Sequence, residues 1–492
     1  MVDDKRLKLA LICFYLPTDV LVGFCFDFIK IFHKGGYIMN EELERDFESL
    51  KTCFETRKFA DLRITLLDME PFDIARFMEE SLDTKEQIMF FRLLPKELAS
   101  DVFVEIDSDS QESLIRAFTD KELKAVIDDM FLDDTVDVIE EMPANVVKRI
   151  LKNSDPENRK QINELLKYPD DSAGSIMTTE YTSFSGKYTV EDAFDKIAKT
   201  GQNKETIYTC YVTDSQKHLV GVVTVRDLLF ADKKDLIENI MVPNVITVDT
   251  LEDKESVAKK FSDYDFIALP VIDHEGCIVG IVTVDDAVDV IQEEATEDIQ
   301  KMAAILPDET PYLKQNVWQI WKARFPWLAL LMITSTFTSL IMSGYESSLS
   351  PVLYAFVPML MGTAGNAGGQ TSVTIIRALA LEDVKPKDVL RVILKEFVAG
   401  LLLGLTIGVI CFGKLMLIDR LYDPTVTLNV ALIVSLVVLI SMIMAKIVGC
   451  LLPIGAKVIK LDPAVVASPV MTTIVDALSL IIYCSISLAV FA

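Results

Sequence analysis

The chain has 492 residues and a formal net charge of −26, and 51% of its residues are hydrophobic. The 9 acids and 10 lysines or arginines after Pro326 nearly cancel, which leaves 65 acids against 38 bases in the part before it. Such an acidic half repels nucleic-acid phosphates and leaves cations as natural partners, although an acidic surface that merely keeps a domain soluble reads the same way.

Residues 1–39 read as an atypical extension. "LKLALICFYLPTDVLVGFCFDFIKIF" is apolar but broken by Pro17, Asp19 and Asp27, and it has no small-residue cleavage site. An interfacial helix is the alternative. Across 40–170 apolar residues return at three- and four-residue spacing, which predicts helices. Prolines at 71, 95 and 143 stand multiples of 24 apart, each ahead of a helix-like run, with Thr119 at the missing place. Proline at the first helical position is a start signal, so this part is expected to be an α-helical superhelix of stacked hairpins.

A second repeat follows. "GSIMTTEYTSF" aligns with "ENIMVPNVITV", and "YVTDSQKHLVGVVTVRDLL" aligns with "PVIDHEGCIVGIVTVDDAV". Strand, helix, strand, strand and helix, twice over, resembles a tandem CBS module, with domains at 171–235 and 236–292. In that family the G-h-h-[ST]-x-x-D segment can bind adenosine nucleotides. By that resemblance Gly221, Thr224 and Asp227, then Gly280, Thr283 and Asp286, form a possible site for ATP or another adenine nucleotide.

Residues 293–324 read as an acidic connecting helix that feeds directly into the first membrane span. Acids at 286, 289, 293, 294, 297 and 298 share helix faces with no lysine between 285 and 300. That repulsion destabilises a helix unless something neutralises it, and divalent cations would; a solvated surface face is the plainer reading.

At about 1.5 Å per residue, roughly 20 apolar residues cross a bilayer core. Five such spans fit into a transmembrane domain over 325–492, at about 326–344, 352–379, 390–417, 428–454 and 464–491. Basic residues at 314, 322 and 324, at 377–395, and at 457 and 460 all fall on one side. The positive-inside rule therefore puts the N-terminal domains in the cytoplasm and the C-terminus outside a cell membrane. Eight scattered cysteines without a C-x-x-C suit a reducing compartment and give neither a disulfide framework nor a zinc site.

Two spans carry polar stripes. Thr363, Asn366, Gln370, Thr374 and Arg377 recur along the second among alanines and glycines, where a tight packing seam is the alternative to a cavity lining. Thr472, Asp476, Ser479 and Tyr483 recur along the fifth and predict one wet face. Asp476 lies near the bilayer midplane, where a charge costs at least about 2.5 kcal/mol and marks a functional site by default. Oxygen ligands without histidine or cysteine suit a hard cation, and Mg²⁺ keeps its waters and takes only one or two carboxylates. A twofold dimer would supply the second.

The domain order, with "PWL", "YESSL", "GTAGNAGGQ…IIRALA" and "DPAVVASPVMTTIVD", resembles the MgtE family of magnesium channels over residues 40–492. The resemblance implies a homodimer in a lipid membrane whose pore is lined by spans 2 and 5, with Asp476 as pore acid and Asn366 near the hydrated ion. It implies cytosolic Mg²⁺ sites on Asp265, Asp286, Asp289, Glu294, Glu297, Asp298 and Asp462 whose ions close the pore. Ala364 departs from the family's usual G-G-N. The rival reading is a CBS-regulated, proton-coupled transporter of another solute, or of other divalent cations such as Co²⁺. With histidines only at 33, 218 and 274, no catalytic constellation emerges, so no enzyme is expected.

Overall fold

The computed structural model describes residues 41–308, 310, 312–345, 349–465 and 468–491. The extension at 1–39 lies outside them, as do residues 346–348 of "YESSL" and 466–467 of the run into the last span. The chain forms two compact units that divide between Asp286 and Ala287.

Among the described residues the first unit starts with ten short helices: α1 (Glu41–Glu55), α2 (Phe59–Leu67), α3 (Pro71–Ser81), α4 (Thr84–Phe91), α5 (Lys96–Val104), α6 (Ser108–Ala117), α7 (Asp120–Ile127), α8 (Leu132–Glu141), α9 (Ala144–Asn153) and α10 (Pro156–Leu165). From α3 onward helices pack on the next but one, α3 on α5, α4 on α6, α5 on α7, α7 on α9 and α8 on α10. The start signals shift by one residue from expectation. Pro71 is the first residue of α3, but Pro95 and Pro143 are N-caps of α5 and α9. Thr119 holds the same place before α7 and closes a capping box with Glu122.

A second series of caps alternates with the first. Asp83 and Asp107 accept from first-turn N–H groups of α4 and α6, and Asp155 does so for α10; each such cap is worth about 1 kcal/mol. Buried Gln87 and Gln111 donate to the carbonyls of Met78 and Phe103, tying each helix to its predecessor. The series breaks at Phe131. Without a side-chain cap, α8 presents Leu132 N–H to Glu180 Oε2 at 3.2 Å, and Asp133 and Asp134 fill its first turn.

Two three-stranded sheets follow. The first has β1 (Tyr181–Ser185), α11 (Val190–Thr200), β2 (Thr206–Thr213), β3 (Leu219–Thr224), α12 (Val225–Phe230) and α13 (Ile237–Ile240). The second has β4 (Val248–Asp249), α14 (Lys254–Tyr264), β5 (Ala268–Ile272), β6 (Ile278–Thr283) and α15 (Val284–Met302). In both, the first strand runs parallel and the third antiparallel to the middle one. The leading segments are exchanged. Thr178 bridges to Ile281 in the second sheet, and Val242 bridges to Val222 in the first. Here glycine is required, because a Cβ on Gly280 would stand 2.8 Å from Thr178 O and one on Gly221 would stand 3.1 Å from Val242 O.

The second unit begins within α15. This helix does not run on into the first span: it stops at Met302, Ala304 turns into the left-handed region at φ 55°, and non-helical chain leads to α16 (Val317–Tyr345). The expected continuous connecting helix over 293–324 is therefore two helices and a linker. Then come α17 (Val357–Ala380), α18 (Val389–Lys414), α19 (Leu428–Val458) and α20 (Ser468–Phe491). Helix α17 packs on both α19 and α20, α18 packs on α19, and α16 packs on α20. A glycine seam fixes the pair α18 and α19. Cβ atoms on Gly400, Gly404 and Gly408 would stand 3.1 Å from Ile443 Cα, 3.0 Å from Leu439 O and 3.2 Å from Ser435 O, the close approach that small residues at every fourth place permit.

Among the described residues four helical stretches, Val317–Tyr345, Pro386–Tyr422, Leu428–Val458 and Val470–Val490, are long and apolar enough to cross a membrane. The 24 residues of α17 reach roughly 36 Å, but its glycines, Asn366 and Gln370 make it more polar than those four.

Candidate functional site

Asp476 sits on α20 against the small-residue face of α17. A Cβ on Gly365 would lie 3.2 Å from Asp476 Oδ1 and 3.7 Å from Thr472 Cγ2, so the carboxylate rests on the glycine backbone. Asn366 is the next residue and is exposed, in a row with exposed Gln370, Thr374 and Arg377. The α17 stripe is thus not a seam within the chain. One turn on, Gly368 is pressed from two sides, with Met471 Sδ at 2.6 Å and Ala445 O at 3.2 Å from a Cβ there.

The predicted wet stripe of the last span is shorter than expected. Asp476 is half-buried, but Ser479 and Tyr483 are fully enclosed, and Tyr483 Oη donates to Leu353 O at 2.7 Å. Beyond Asp476 that face is packing. Lys446, a conceivable partner for Asp476, engages Glu396 and Thr371 instead.

In the first unit Asp286 meets acids that periodicity alone did not single out. Burial first, and then the neighbouring charges of Asp133, Asp137, Asp286 and Asp285, push Asp134 up to about 8. Glu205 is also pushed up to about 8, by burial and by Asp133, Asp285, Asp134 and Asp286. Asp286 rises to about 7 through burial and the charges of Asp133 and Asp285, which outweigh its hydrogen bonds with Thr283. Asp133 and Glu180 are raised as well, mainly by burial. The break in the capping series was the available signal: Phe131 stands where an aspartate was due, and after Leu132 two acids fill the first turn of the helix.

The other predicted residues are dispersed. Asp265 ends α14 in the left-handed region, exposed; Asp289 is exposed on α15, and Glu294, Glu297 and Asp298 are half-buried along it. Glu297 and Asp462 are brought together, but by a lysine: Lys301 Nζ lies 2.8 Å from Glu297 Oε1 and 2.9 Å from Asp462 Oδ2. Burial opposes the Lys301 charge, yet these two carboxylates raise its pKa. Among the described residues no three acids, histidines or cysteines stand close enough to hold one ion.

In both CBS motifs the hydroxyl and acid are bonded to each other. Thr224 Oγ1 donates to Asp227 Oδ2 and Thr283 Oγ1 to Asp286 Oδ2, each at 2.6 Å. They cap α12 and hold the start of α15, a structural role beside the expected nucleotide contact.

The magnesium transporter MgtE of Thermus thermophilus is 37% identical to this chain over 445 residues, covering 89% of this chain and 97% of that protein. The chain belongs to the MgtE family. The magnesium transporter MgtE of Bacillus subtilis is 32% identical over 434 residues, covering 88% and 94%. The MgtE family model, described as a divalent cation transporter, matches residues 357–486, which hold Asn366 and Asp476. The MgtE intracellular N domain matches 69–171, and CBS domains match 173–234 and 237–293. A solved cytosolic domain of the Mg²⁺ channel MgtE in complex with ATP is 33% identical, with a TM-score of 0.47, covering 50% of this chain and 99% of that one. These MgtE relatives are transporters rather than enzymes, and this member of the family is a membrane protein.

Proposed function

We propose that the protein is a Mg²⁺-selective channel for magnesium uptake whose cytosolic half senses Mg²⁺ and closes it. The observation that carries this reading is the Asp476 carboxylate resting on Gly365 beside Asn366, a fixed negative charge on a small-residue helix inside the family-matched region. Conduction needs binding strong enough to admit the ion and weak enough to release it. One carboxylate per chain, doubled across a homodimer axis, would hold a hydrated dication without stripping it.

In this reading α17 is a fifth span, its exposed amide stripe facing water in the dimer. The N-terminal helices form a superhelix and lie in the cytoplasm with the CBS pair, and the C-terminus lies outside. Asp265, Asp286, Asp289, Glu294, Glu297, Asp298 and Asp462 take up Mg²⁺ in this reading, and Asp133, Asp134 and Glu205 add carboxyls near Asp286. An adenine nucleotide binding near Thr224, Asp227, Thr283 and Asp286 would modulate that response.

The test is Mg²⁺ entry into liposomes holding the purified protein, with no ATP, pH gradient or sodium. Entry down the Mg²⁺ gradient supports the channel. Entry only with a proton gradient would favour the proton-coupled transporter.

A further inference from the structure

Two charged residues that ion passage leaves unused, Lys446 and Glu396, meet inside the membrane half. Lys446 of α19 is 6% exposed, and its ammonium donates to Thr371 Oγ1 at 2.9 Å and lies 3.5 Å from Glu396 Oε2. Thr371 Oγ1 in turn donates to the same carboxylate oxygen at 3.0 Å. Helices α17, α18 and α19 give one residue each to a closed triangle. A buried ion pair is weak evidence for stability, since well-packed apolar side chains often replace one at no loss, and its better attested use is to specify geometry.

The surroundings say which geometry. The glycine seam of α18 brings Glu396 to Lys446: Gly400 lies one turn beyond Glu396, and its Cβ would be 3.6 Å from Lys446 Cδ. On α17, Gly368 lies one turn before Thr371 and faces Gly449 so closely that a Cβ on Gly449 would meet Gly368 O at 2.5 Å. Two turns before Thr371, Gly365 carries the Asp476 carboxylate. These close approaches set how near α17 comes to its neighbours. Buried Leu360, Ile375 and Leu379 pack the same helix against its neighbours, and the triangle adds a polar tie that fits one rotation of Thr371.

We propose that Lys446 and Glu396 are positioning residues which, through Thr371, fix the rotation of α17 and so keep Gly365 and Asn366 at Asp476. Rotating a helix by one residue swings its side chains by about 100°, which would carry the glycine face away from the carboxylate. The triangle does not touch the ion. This inference rests on the Mg²⁺-channel reading.

The experiment measures Mg²⁺ entry against external Mg²⁺ for the full chain in liposomes, with wild type, Thr371→Val and the double variant K446M/E396Q. Thr371→Val keeps shape and removes the hydroxyl, and the double variant leaves no lone buried charge. Both are expected to elute and melt as wild type while half-saturating Mg²⁺ rises about fivefold, the worth of one such hydrogen bond. Lys446→Met alone, which strands Glu396, should yield little folded protein. If half-saturation is unchanged and entry only follows the amount of folded protein, the triangle is a fold-stabilising pair and the proposal falls. Should the double variant fail to fold, Thr371→Val decides alone. A wild type that passes no Mg²⁺ removes the channel reading and this inference with it, whereas normal wild-type entry with unchanged variants removes this inference only.

Discussion

The Asp476 carboxylate lies half-buried against the bare backbone of Gly365 on the neighbouring helix. Any side chain at 365 competes with the carboxylate for that space. Gly365→Ala puts a Cβ 3.2 Å from Oδ1, so the carboxylate must give by a few tenths of an ångström, and Mg²⁺ entry should fall by roughly two- to tenfold with the protein still folded, because small displacements of a binding group cost rate steeply. Equal entry would show that the contact is incidental. Lys301 makes a second residue-level case. Its ammonium sits between Glu297 and Asp462 as a tethered cation. Removing it should loosen the soluble half without Mg²⁺ and free the two carboxylates for a dication. With Lys301→Met, protease protection at zero Mg²⁺ should drop, and the midpoint of Mg²⁺-dependent protection should move about two- to fivefold lower, as for a part-exposed pair. A midpoint that stays put would contradict this. Asp476 was conspicuous in the sequence as a lone acid in an apolar run, and Asn366 as one step of a polar stripe. The Lys301 bridge was not, since the sequence shows no distance between 301 and 462.

The helices of the first unit show why part of the site stays hidden until the fold is known. Their 24-residue period could be read from Pro71, Pro95 and Pro143, but the companion caps at Asp83, Asp107 and Asp155 look like ordinary surface acids. Only against that series does Phe131 stand out. The acids gathered there make a pH prediction with a definite sign. Asp134 and Glu205 are raised to about 8 and Asp286 to about 7, above their ordinary carboxylate values. A carboxyl raised on folding stabilises the fold in its protonated form, so that contribution is full at low pH and is lost as pH rises through the folded value. The depressed carboxyls Glu122, Asp192 and Asp214 titrate below the ordinary range and do not mask this. Without divalent cations, the melting temperature of the soluble half should therefore fall between about pH 5 and about pH 8. Asp134→Asn should flatten that fall, and Mg²⁺ at pH 8 should reverse it, all measurable by calorimetry on the full chain. The same melting temperature at pH 5 and pH 8 would count against the cluster. Spans were legible in the same uneven way. Long apolar runs gave α18 and α19 nearly to their ends, whereas the stop of α15 at Met302 turns on the left-handed Ala304, which no periodicity marks.

Across the whole molecule, a helical half that carries an exposed amide stripe and the Asp476 carboxylate is joined to an acidic half rich in mutually repelling carboxyls. The account requires that the first conducts Mg²⁺ and the second responds to it, and that the two roles separate by mutation. The measurement that bears on this most directly is Mg²⁺ entry into liposomes with wild type and Asp476→Asn, at low and at high Mg²⁺ on the side of the soluble half. Wild type should pass Mg²⁺ at low Mg²⁺ and close at high Mg²⁺. Asp476→Asn should pass little at either, while its soluble half still gains protease protection as Mg²⁺ is added. Near wild-type entry through Asp476→Asn would contradict the account, because the fixed charge on α20 would then not be what holds the ion.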